Sequence, residues 1–266
     1  MSLTPYEIYA IRYATVVRKH AGENFIGADP HEHGGTMDYF VWLVRNAERS
    51  FVIDSGFTAA VGRKRGREFL RCPSEGLAAL GLPVDQVKDV VVTHLHYDHI
   101  GNFALFPNAV FHLQDREMAY ATGRHMASPV MNAAYEVEDI TAMVREVYRG
   151  RVRFYNGDTE LAPGLTLHHV GGHTDGLQIV RVWTQHGWMV LASDATHYYA
   201  NMEEQRLFPI VFDVGAMVEG WRRCRELADA PQYVIPGHDP EVLKRYPASG
   251  PGKEGWIARL DVEPRP

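Results

Sequence analysis

The segment Thr93–Asn102, THLHYDHIGN, decides the fold prediction because it places three histidines and one aspartate within six positions. It follows the apolar run DVVV, which predicts a short strand buried on both faces of a sheet. His94 and His96 are two residues apart, so in extended chain their side chains point the same way and can bind one ion. Asp98 and His99 follow in a turn and can face a second ion. We therefore predict a strand end that supplies two metal sites, rather than a polar loop with chance histidines.

Three later segments have a related form, in which an apolar strand ends in a ligand-type side chain beside a small residue. VGGHTDG offers His173, VLASDA offers Asp194 and VIPGHD offers His238. Each is weak evidence alone, because a single histidine near glycine is more often structural. Together with the first segment they supply five histidines and two aspartates. This set is sufficient for two divalent ions with one carboxylate free to bridge them.

The composition is that of a globular protein with an imidazole-rich site. The chain has 266 residues, of which 45% are hydrophobic and 23% charged, and its net charge is -6. We expect one α/β domain over residues 1–266, and the negative charge argues against nucleic acid or an anionic membrane as partner. Fourteen histidines and two cysteines favour imidazole and carboxylate over thiolate as metal ligands.

The sequence shows no recognisable membrane span or signal peptide, which narrows the expected location of the protein. No apolar run approaches the roughly 18 residues of a membrane span, and the first residues lack the basic start and apolar block of a signal peptide. Cys72 and Cys224 either pair or are two buried thiols in a reducing compartment. We expect a cytoplasmic protein.

The pattern of apolar residues predicts mixed strands and helices. Tyr39–Arg45 and Ser50–Asp54 read as a hairpin, and a helix capped by Ser74 follows. Residues 117–150 read as a helical insertion in several pieces, and the chain from 247 as an irregular tail. One later helix should lie on the core through a stripe of apolar side chains. Its members are Val214, Met217, Val218, Trp221, Cys224 and Ala228.

THLHYDHIGN, GGHTDG, SDA and PGHD, in this order, resemble the motifs of the metallo-β-lactamase superfamily. The first matches the His-x-His-x-Asp-His pattern without a gap, and VIDSG, with Asp54, resembles the earlier aspartate motif. The resemblance runs from about Tyr39 to Asp239. It implies an αββα sandwich, two packed mixed sheets with helices outside, and a dinuclear metal site at one edge.

The resemblance also implies a role for each matching residue. The Asp54 carboxylate would orient a ligand imidazole or fix the loop that carries it. The alternative is that Asp54 is a simple turn residue before Ser55. Asp194 would bridge the two metals. The first metal would be bound by His94, His96 and His173, and the second by Asp98, His99 and His238.

Two such ions would share a hydroxide that attacks an electrophilic carbonyl while one metal polarises its oxygen. The ligand types suit Zn²⁺ best, and iron, manganese or cobalt also fit. Asp98 or Asp194 would then transfer a proton to the leaving group. We therefore expect a metal-dependent carboxylic ester hydrolase with a small-molecule substrate.

Several branches of the superfamily fit less well. The redox di-iron branch has glutamate where His96 stands, and periplasmic β-lactamases generally have cysteine at the position of Asp194. Nuclease branches carry an extra domain, and glyoxalase II-like thioesterases carry a glutathione-binding domain, for which 28 residues after His238 (266 − 238) are too few. The N-acyl homoserine lactonase-like branch matches in length and motif order, including the 44 residues from Asp194 to His238 (238 − 194). We therefore expect lactone hydrolysis and a quorum-quenching activity.

One departure from that branch concerns substrate contact. The best-known lactonases place a tyrosine three residues after the bridging aspartate, and His197 stands there instead, followed by Tyr198 and Tyr199. Either His197 or Tyr198 would donate a hydrogen bond to the substrate carbonyl. The alternative is a packed loop, and the change puts the acyl-homoserine substrate in doubt.

The insertion should overhang the metals and line an adaptable wall with Met118, Tyr120, Met126, Met131, Tyr135 and Met143, or these are helix-core residues. Phe208, Ile210 and Phe212 would line an acyl groove or form a strand face. GADPHEHGGTMDYF, with His31 and His33, reads as a rim loop that reaches its own pocket or that of a homodimer partner. For these two histidines a solvated loop is the favoured reading.

Two other functions compete with lactone hydrolysis. The same site could cleave a thioester, a cyclic amide or a β-lactam. The protein could instead hold metal as a binding module without catalysis, although no ligand of the set is missing.

Overall fold

Two β-sheets form the centre of the computed structural model, which describes residues 3–265. The strands of the first sheet are β1 (Glu7–His20), β2 (His33–Arg45), β3 (Ser50–Ile53), β4 (Glu68–Phe69), β5 (Asp89–Val91), β6 (Val110–Gln114), β7 (Val152–Tyr155) and β13 (Ile257–Arg259). Those of the second are β8 (Thr159–Ala162), β9 (Leu165–His169), β10 (Gln178–Thr184), β11 (Gly187–Ser193) and β12 (Val234–Pro236).

Both sheets are mixed. The first has the order β13-β1-β2-β3-β5-β6-β7, with β4 beside β1, and it is antiparallel up to β3 and parallel from β3 to β7. The predicted hairpin is confirmed, with Trp42 opposite Ile53. The second has the order β12-β11-β10-β9-β8, in which only the pair of β11 and β12 is parallel among the described residues.

Helices cover the sheets on their outer faces. The α-helices are α1 (Ala59–Lys64), α2 (Pro73–Ala79), α3 (Tyr97–Ile100), α4 (Asp115–Ala121), α5 (Pro129–Asn132), α6 (Val137–Tyr148), α7 (Tyr199–Glu203), α8 (Val214–Leu227) and α9 (Glu241–Arg245). Short 3₁₀ turns occupy Ala21–Glu23, Val84–Gln86, Phe103–Leu105, Arg124–Ala127 and Pro231–Tyr233. The helical insertion predicted over 117–150 corresponds to α4, α5, α6 and one of these turns.

Three apolar clusters produce this layering. One lies between the sheets, where Trp42 and Ile53 of the first sheet meet Val180 and Leu191 of the second. A second packs the other face of the first sheet against α2 and the insertion, and a third packs α8 onto the second sheet through residues such as Trp221. The predicted αββα sandwich is therefore confirmed.

Several local predictions were wrong. Helix α2 is capped by Cys72 and not by Ser74, because Pro73 suits the first helical turn and the Glu75 carboxylate accepts a hydrogen bond from the Cys72 amide at 2.9 Å. The segment expected as a rim loop is strand from His33 onward, because the long β1 pairs with it as far as His20. His31 and His33 are both exposed.

The chain after 247 is not wholly irregular, since β13 pairs with β1 and buries Ile257. On α8, Val214 and Val218 are 48% and 44% exposed, and Leu227 rather than Ala228 completes the buried stripe. The buried face of α8 is therefore rotated slightly from the predicted stripe, so that Val214 and Val218 lie outside it. Both cysteines are free thiols. Among residues 3–265, no helix has the length and apolar character needed to cross a membrane.

Candidate metal centre

The predicted ligands meet at one edge of the sandwich, because five strands end there. Asp54 follows β3, and the THLHYDHIGN segment follows β5. His173 lies in the connection from β9 to β10, Asp194 follows β11 and His238 follows β12. Loops at strand ends carry the side chains, while the two sheets hold the loops in place.

The first group consists of His94, His96, His173 and Asp194, all buried, with one ligand atom of each within 4.8 Å of the others. The Nδ1 atom of His96 lies 3.0 Å from His94 Nε2 and 2.9 Å from His173 Nε2. The Asp194 Oδ2 atom lies 3.1 Å from His173 Nε2. These are the residues predicted for the first metal.

The second group consists of Asp98, His99 and His238, which are also buried and equally close to one another. The Oδ2 atom of Asp98 lies 3.8 Å from the Nε2 atoms of both His99 and His238. The other oxygen of Asp194, Oδ1, lies 3.0 Å from His238 Nε2 and 3.4 Å from His99 Nε2. Asp194 therefore presents one oxygen to each group, as a bridging carboxylate must.

Glycine at position 237 allows the Asp194 carboxylate to reach this place. A Cβ atom on Gly237 would lie 2.8 Å from Asp194 Oδ1 and equally close to the Ser193 backbone. Ser193 itself has a positive φ of 45°, so the chain turns sharply just before Asp194. The close approach of these two loops brings β11 and β12 together at the site.

Four of the histidines are oriented by hydrogen bonds on the side away from the cluster. The Nδ1–H of His99 donates to Asp54 Oδ2 at 2.7 Å, and that of His94 to Thr93 Oγ1 at 3.2 Å. The other two bonds go to backbone carbonyls. His173 Nδ1 donates to Ile210 O at 2.7 Å, and His238 Nδ1 to Asp38 O at 2.8 Å. Each of the four rings therefore turns the lone pair of Nε2 inward, as metal ligands do.

The donor atoms fit divalent ions. Four ligands about 2.0–2.1 Å from a tetrahedral ion lie about 3.3 Å apart, and the distances above scatter around that value. The Nε2 atom of His99 is buried and has no hydrogen-bond partner among the described residues, so it is free to bind an ion. Burial also lowers the pKa of His94 and His96 well below the usual value. These two imidazoles are therefore neutral, as ligands must be. Burial would also lower the pKa of His99, but the carboxylates of Asp194 and Asp54 raise it well above the usual value, and a bound cation would displace that proton.

Asp54 and Thr93 form the support behind the cluster. Asp54 is fully buried with a positive φ of 61°, and its carboxylate accepts bonds from the Thr93 amide and hydroxyl, each at 2.8 Å. Burial raises the pKa of Asp54, against the opposing effect of His99. This carboxylate links the end of β3 to the loop after β5.

Glu117 is a supporting residue that the sequence alone did not indicate. It is the third residue of α4 and is fully buried. Its Oε1 accepts from the Leu95 amide at 2.8 Å, and its Oε2 from Thr174 Oγ1 at 2.6 Å and the Gly176 amide at 3.1 Å. Glu117 thus connects the loop of His94 and His96 to the loop of His173.

His197 lies directly beside the bridging carboxylate. Its Nε2 is 2.9 Å from Asp194 Oδ2, and its ring stacks on Phe208. Burial lowers the pKa of His197 to about 3, despite the opposing pull of Asp194. Burial would raise the pKa of Asp194, but the surrounding imidazoles of His197, His238 and others hold it well below the usual value. The pair is therefore a neutral imidazole that donates to an ionised carboxylate.

Tyr198 lies elsewhere. Its ring packs on Phe25 at 5.6 Å between centroids, and it lines a separate cavity with Asp38 and Asp239. Successive residues of this short segment point in different directions because Tyr198 is the extended N-cap residue directly before α7. Tyr198 is not among the residues that line the cavity over the metal ligands.

The cavity over the ligands has two neighbouring lobes, of about 180 and 110 Å³, with common wall residues His96, Ala133, Ala134, His173 and Ile210. Residues on both β2 and the insertion contribute to its walls. Of the wall residues that the sequence suggested, the second lobe is lined by Tyr120, Met131, Ile210 and Phe212, and the first by Phe208 and Ile210. The sequence did not indicate the polar residues of the first lobe, which are Arg18, Tyr39, Arg65, Arg67 and Tyr97.

Comparisons with known proteins show the family to which the chain belongs. A family model described as the metallo-beta-lactamase superfamily matches residues 34–248. The N-acyl homoserine lactonase AttM of Azorhizobium caulinodans is 30% identical over 230 residues, 83% of this chain and 76% of that protein. The N-acyl homoserine lactonase AiiA of Bacillus thuringiensis subsp. kurstaki is 28% identical over 170 residues, 63% of this chain and 62% of that one.

Solved structures show the same fold. A quorum-quenching N-acyl homoserine lactone lactonase superposes with a TM-score of 0.75 at 22% identity, covering 91% of this chain and 95% of the other. An N-acyl homoserine lactone hydrolase with N-hexanoyl-L-homoserine at its catalytic metal centre gives a TM-score of 0.74 at 21% identity, covering 92% and 96%. The chain belongs to the metallo-β-lactamase superfamily.

Proposed function

We propose that this protein is a dinuclear metal-dependent hydrolase that opens a lactone or a similar small cyclic ester. The observation that carries this proposal is the position of Asp194, whose two carboxylate oxygens face two separate groups of histidines. The similarity to AttM and AiiA, which are named N-acyl homoserine lactonases, supports a lactone as the substrate class.

Two divalent ions held by these groups would lower the pKa of a shared water to near 7 and polarise the substrate carbonyl. The ligand types suit Zn²⁺, and iron, manganese and cobalt are alternatives. One ion would be held by His94, His96 and His173, and the other by Asp98, His99 and His238. Asp194 would bind both ions.

The surrounding residues have separate tasks. His197 donates to Asp194 Oδ2 and so fixes the orientation of the bridging carboxylate. After ring opening the leaving oxygen needs a proton, which the attacking water would supply by way of the Asp98 carboxylate. Asp194 is less suited to this transfer, because the surrounding imidazoles hold its pKa well below the usual value.

We assign the hydrogen bond to the substrate carbonyl to Tyr39 rather than Tyr198. Tyr39 lines the cavity, and its ring packs on His238 at 5.2 Å between centroids. Burial raises the pKa of Tyr39 well above the usual value, so the phenol stays protonated and can donate. Its hydroxyl lies 3.4 Å from that of Tyr97.

The test incubates the metal-loaded protein with a matched set of lactones, thioesters, cyclic amides and β-lactams. Hydrolysis is measured by the release of protons at constant pH. We expect the lactones to react with the highest kcat/KM and to release one acid equivalent per ring. Full metal content without hydrolysis of any substrate would show that the protein only binds metal, and a preference for thioesters or amides would reassign the bond.

A further inference from the structure

The two lobes of the cavity differ in character. The lobe on the side of Asp98 is lined by Arg18, Arg65 and Arg67 together with tyrosines. The other lobe is lined mainly by apolar side chains, including Tyr120, Met131 and Phe212. A substrate that spans the metal centre would therefore meet cationic groups on one side and an apolar wall on the other.

Two of the three arginines already have partners in the protein. Arg65 Nε donates to the Glu136 carboxylate at 2.8 Å, and its two other nitrogens donate to the carbonyls of Ala133 and Tyr135. Arg18 lies 3.6 Å from the carboxylate of Glu23. Both side chains therefore have a structural explanation.

Arg67 has no such partner. Its Nε donates to the Tyr97 hydroxyl at 3.1 Å, but within residues 3–265 neither of its terminal nitrogens has a hydrogen-bond acceptor, and no carboxylate lies within 4 Å. The side chain is half-buried at the cavity wall. A guanidinium held in this way keeps two parallel N–H groups free for a planar acceptor.

The position of Arg67 is electrostatically unusual. It lies beside Tyr97 and on the wall of the lobe that contains Asp98, so it faces a centre proposed to hold two divalent cations. The nearby carboxylates of Asp98 and Asp194 would be engaged by those ions. Like charges that face the same partly desolvated cavity repel, and an anionic group supplied by the substrate would relieve the repulsion.

We propose that Arg67 binds a carboxylate on the substrate, so that the lactone or ester opened by this protein carries a free acid group on the Asp98 side and an apolar group in the other lobe. This inference rests on the proposed function for the identity of the reacting bond. The binding of the carboxylate can be measured separately, without turnover.

The first experiment measures binding by calorimetry to the metal-loaded protein. The probes are 3-oxocyclopentanecarboxylate, a ring analogue that cannot be hydrolysed, and its primary amide. We expect the carboxylate to bind at least 10-fold more tightly. Arg67→Met should weaken carboxylate binding by about 10- to 100-fold, the usual range for a charge-assisted contact, and amide binding by less than about 3-fold.

Two further variants serve as controls. Arg67→Lys keeps the positive charge but lacks the two parallel N–H groups of the guanidinium. It should retain part of the preference for the carboxylate over the amide. Arg63→Met removes an exposed arginine of the same helix region and should leave both affinities unchanged. A carboxylate preference that survives Arg67→Met would mean that the metals bind the acid directly, and an equal loss for both probes would mean that Arg67 only positions Tyr97. Either result would overturn the proposal.

The second experiment compares kcat/KM for 5-oxotetrahydrofuran-2-carboxylate and its primary amide. We expect the wild-type protein to prefer the carboxylate by at least 10-fold and Arg67→Met to lose most of that preference. Binding that depends on Arg67 without opening of either lactone would refute the lactonase function and leave the carboxylate site intact. Hydrolysis of both lactones at equal rates would refute the carboxylate site and leave the lactonase function intact.

Discussion

The proposed metal centre and the wall of the cavity above it are built in different ways. The ligands follow the ends of sheet strands, and four of their imidazoles are fixed by hydrogen bonds to the protein behind them. The wall combines residues of β2, the segment around Arg65 and Arg67, the short helices of the insertion and the loop around Ile210. The first region is specified by local motifs and the second by tertiary packing. We therefore expect the centre to tolerate little change and the wall to determine which substrate is used.

The largest effect should come from Asp194, because it serves both groups of ligands. Asp194→Asn keeps the size of the side chain but removes the charge that balances two cations. We expect kcat/KM to fall by about 1,000-fold or more, as other essential groups of hydrolytic sites do. The bound metal should decrease as well.

The control for this variant is Asp85→Asn, which changes an exposed aspartate. It should behave as the wild-type protein in metal analysis, hydrolysis and thermal unfolding. If Asp194→Asn kept both metal and activity, the bridging role of Asp194 would be excluded.

Glu117 tests the connection between the two regions, since it belongs to the insertion but supports the ligand loops. Glu117→Gln replaces Oε2, which accepts from Thr174 Oγ1 and the Gly176 amide, with an amide nitrogen that can accept from neither. We expect metal affinity to fall by about 10- to 100-fold, measured by competition with a chelator. Glu138→Gln, at an exposed position of α6, is the matched control, and equal affinities in the two variants would contradict the supporting role.

Tyr39 and Tyr198 test which part of the wall meets the substrate. Tyr39→Phe removes the hydroxyl of a residue that lines the cavity over the ligands, whereas Tyr198→Phe removes the hydroxyl of a residue that lines a separate cavity. We expect kcat for the best lactone to fall about 10-fold in Tyr39→Phe, the value of one hydrogen bond, with unchanged metal content. Tyr198→Phe should have a kcat within about 2-fold of the wild type. The reverse order of the two effects would return the substrate contact to the segment after Asp194.

The smallest effect concerns a polar group of the insertion that is poorly satisfied. Burial raises the pKa of Asp139 to about 6, and its Oδ2 has no hydrogen-bond partner among the described residues. The carboxyl of Asp139 therefore binds its proton more tightly in the folded state than in the unfolded state. The free energy of unfolding falls as pH rises from about 4 to about 6, where this proton is lost, and the loss of stability persists at higher pH. Asp139→Asn should therefore raise the free energy of unfolding at pH 7 by about 1 kcal/mol, a value reduced because solvent screens this partly exposed group.

Urea unfolding at pH 4 and pH 7 measures this difference. The gain should be present at pH 7 and nearly absent at pH 4, where the carboxyl is largely protonated in the folded state. A gain of equal size at both pH values would show that ionisation of Asp139 is not its cause.

The same contrast explains what could be predicted from the sequence. The candidate ligands could be predicted because each ligand motif is contiguous and follows its own strand. The apolar patterns alone predicted a mixed α/β domain, and the αββα sandwich followed from the resemblance of these motifs to the superfamily. Tyr39, Arg67 and Glu117 could not be predicted, because they reach the site only through tertiary structure. Tyr39 depends on the pairing of β1 with β2, Arg67 on the pairing of β1 with β4, and Glu117 on the packing of α4. The sequence suggested Tyr198 by its distance from Asp194, but the start of α7 turns its side chain toward Phe25.

Metal stoichiometry tests the central claim most directly. The measurement is the metal content per chain of the wild-type protein, of His96→Ala and of His238→Ala, by mass spectrometry of the elements after dialysis. We predict about two ions in the wild type, with each variant losing affinity mainly at one site. A fully active wild-type protein with a single ion, or two variants that retain two ions each, would contradict a dinuclear centre shared through Asp194.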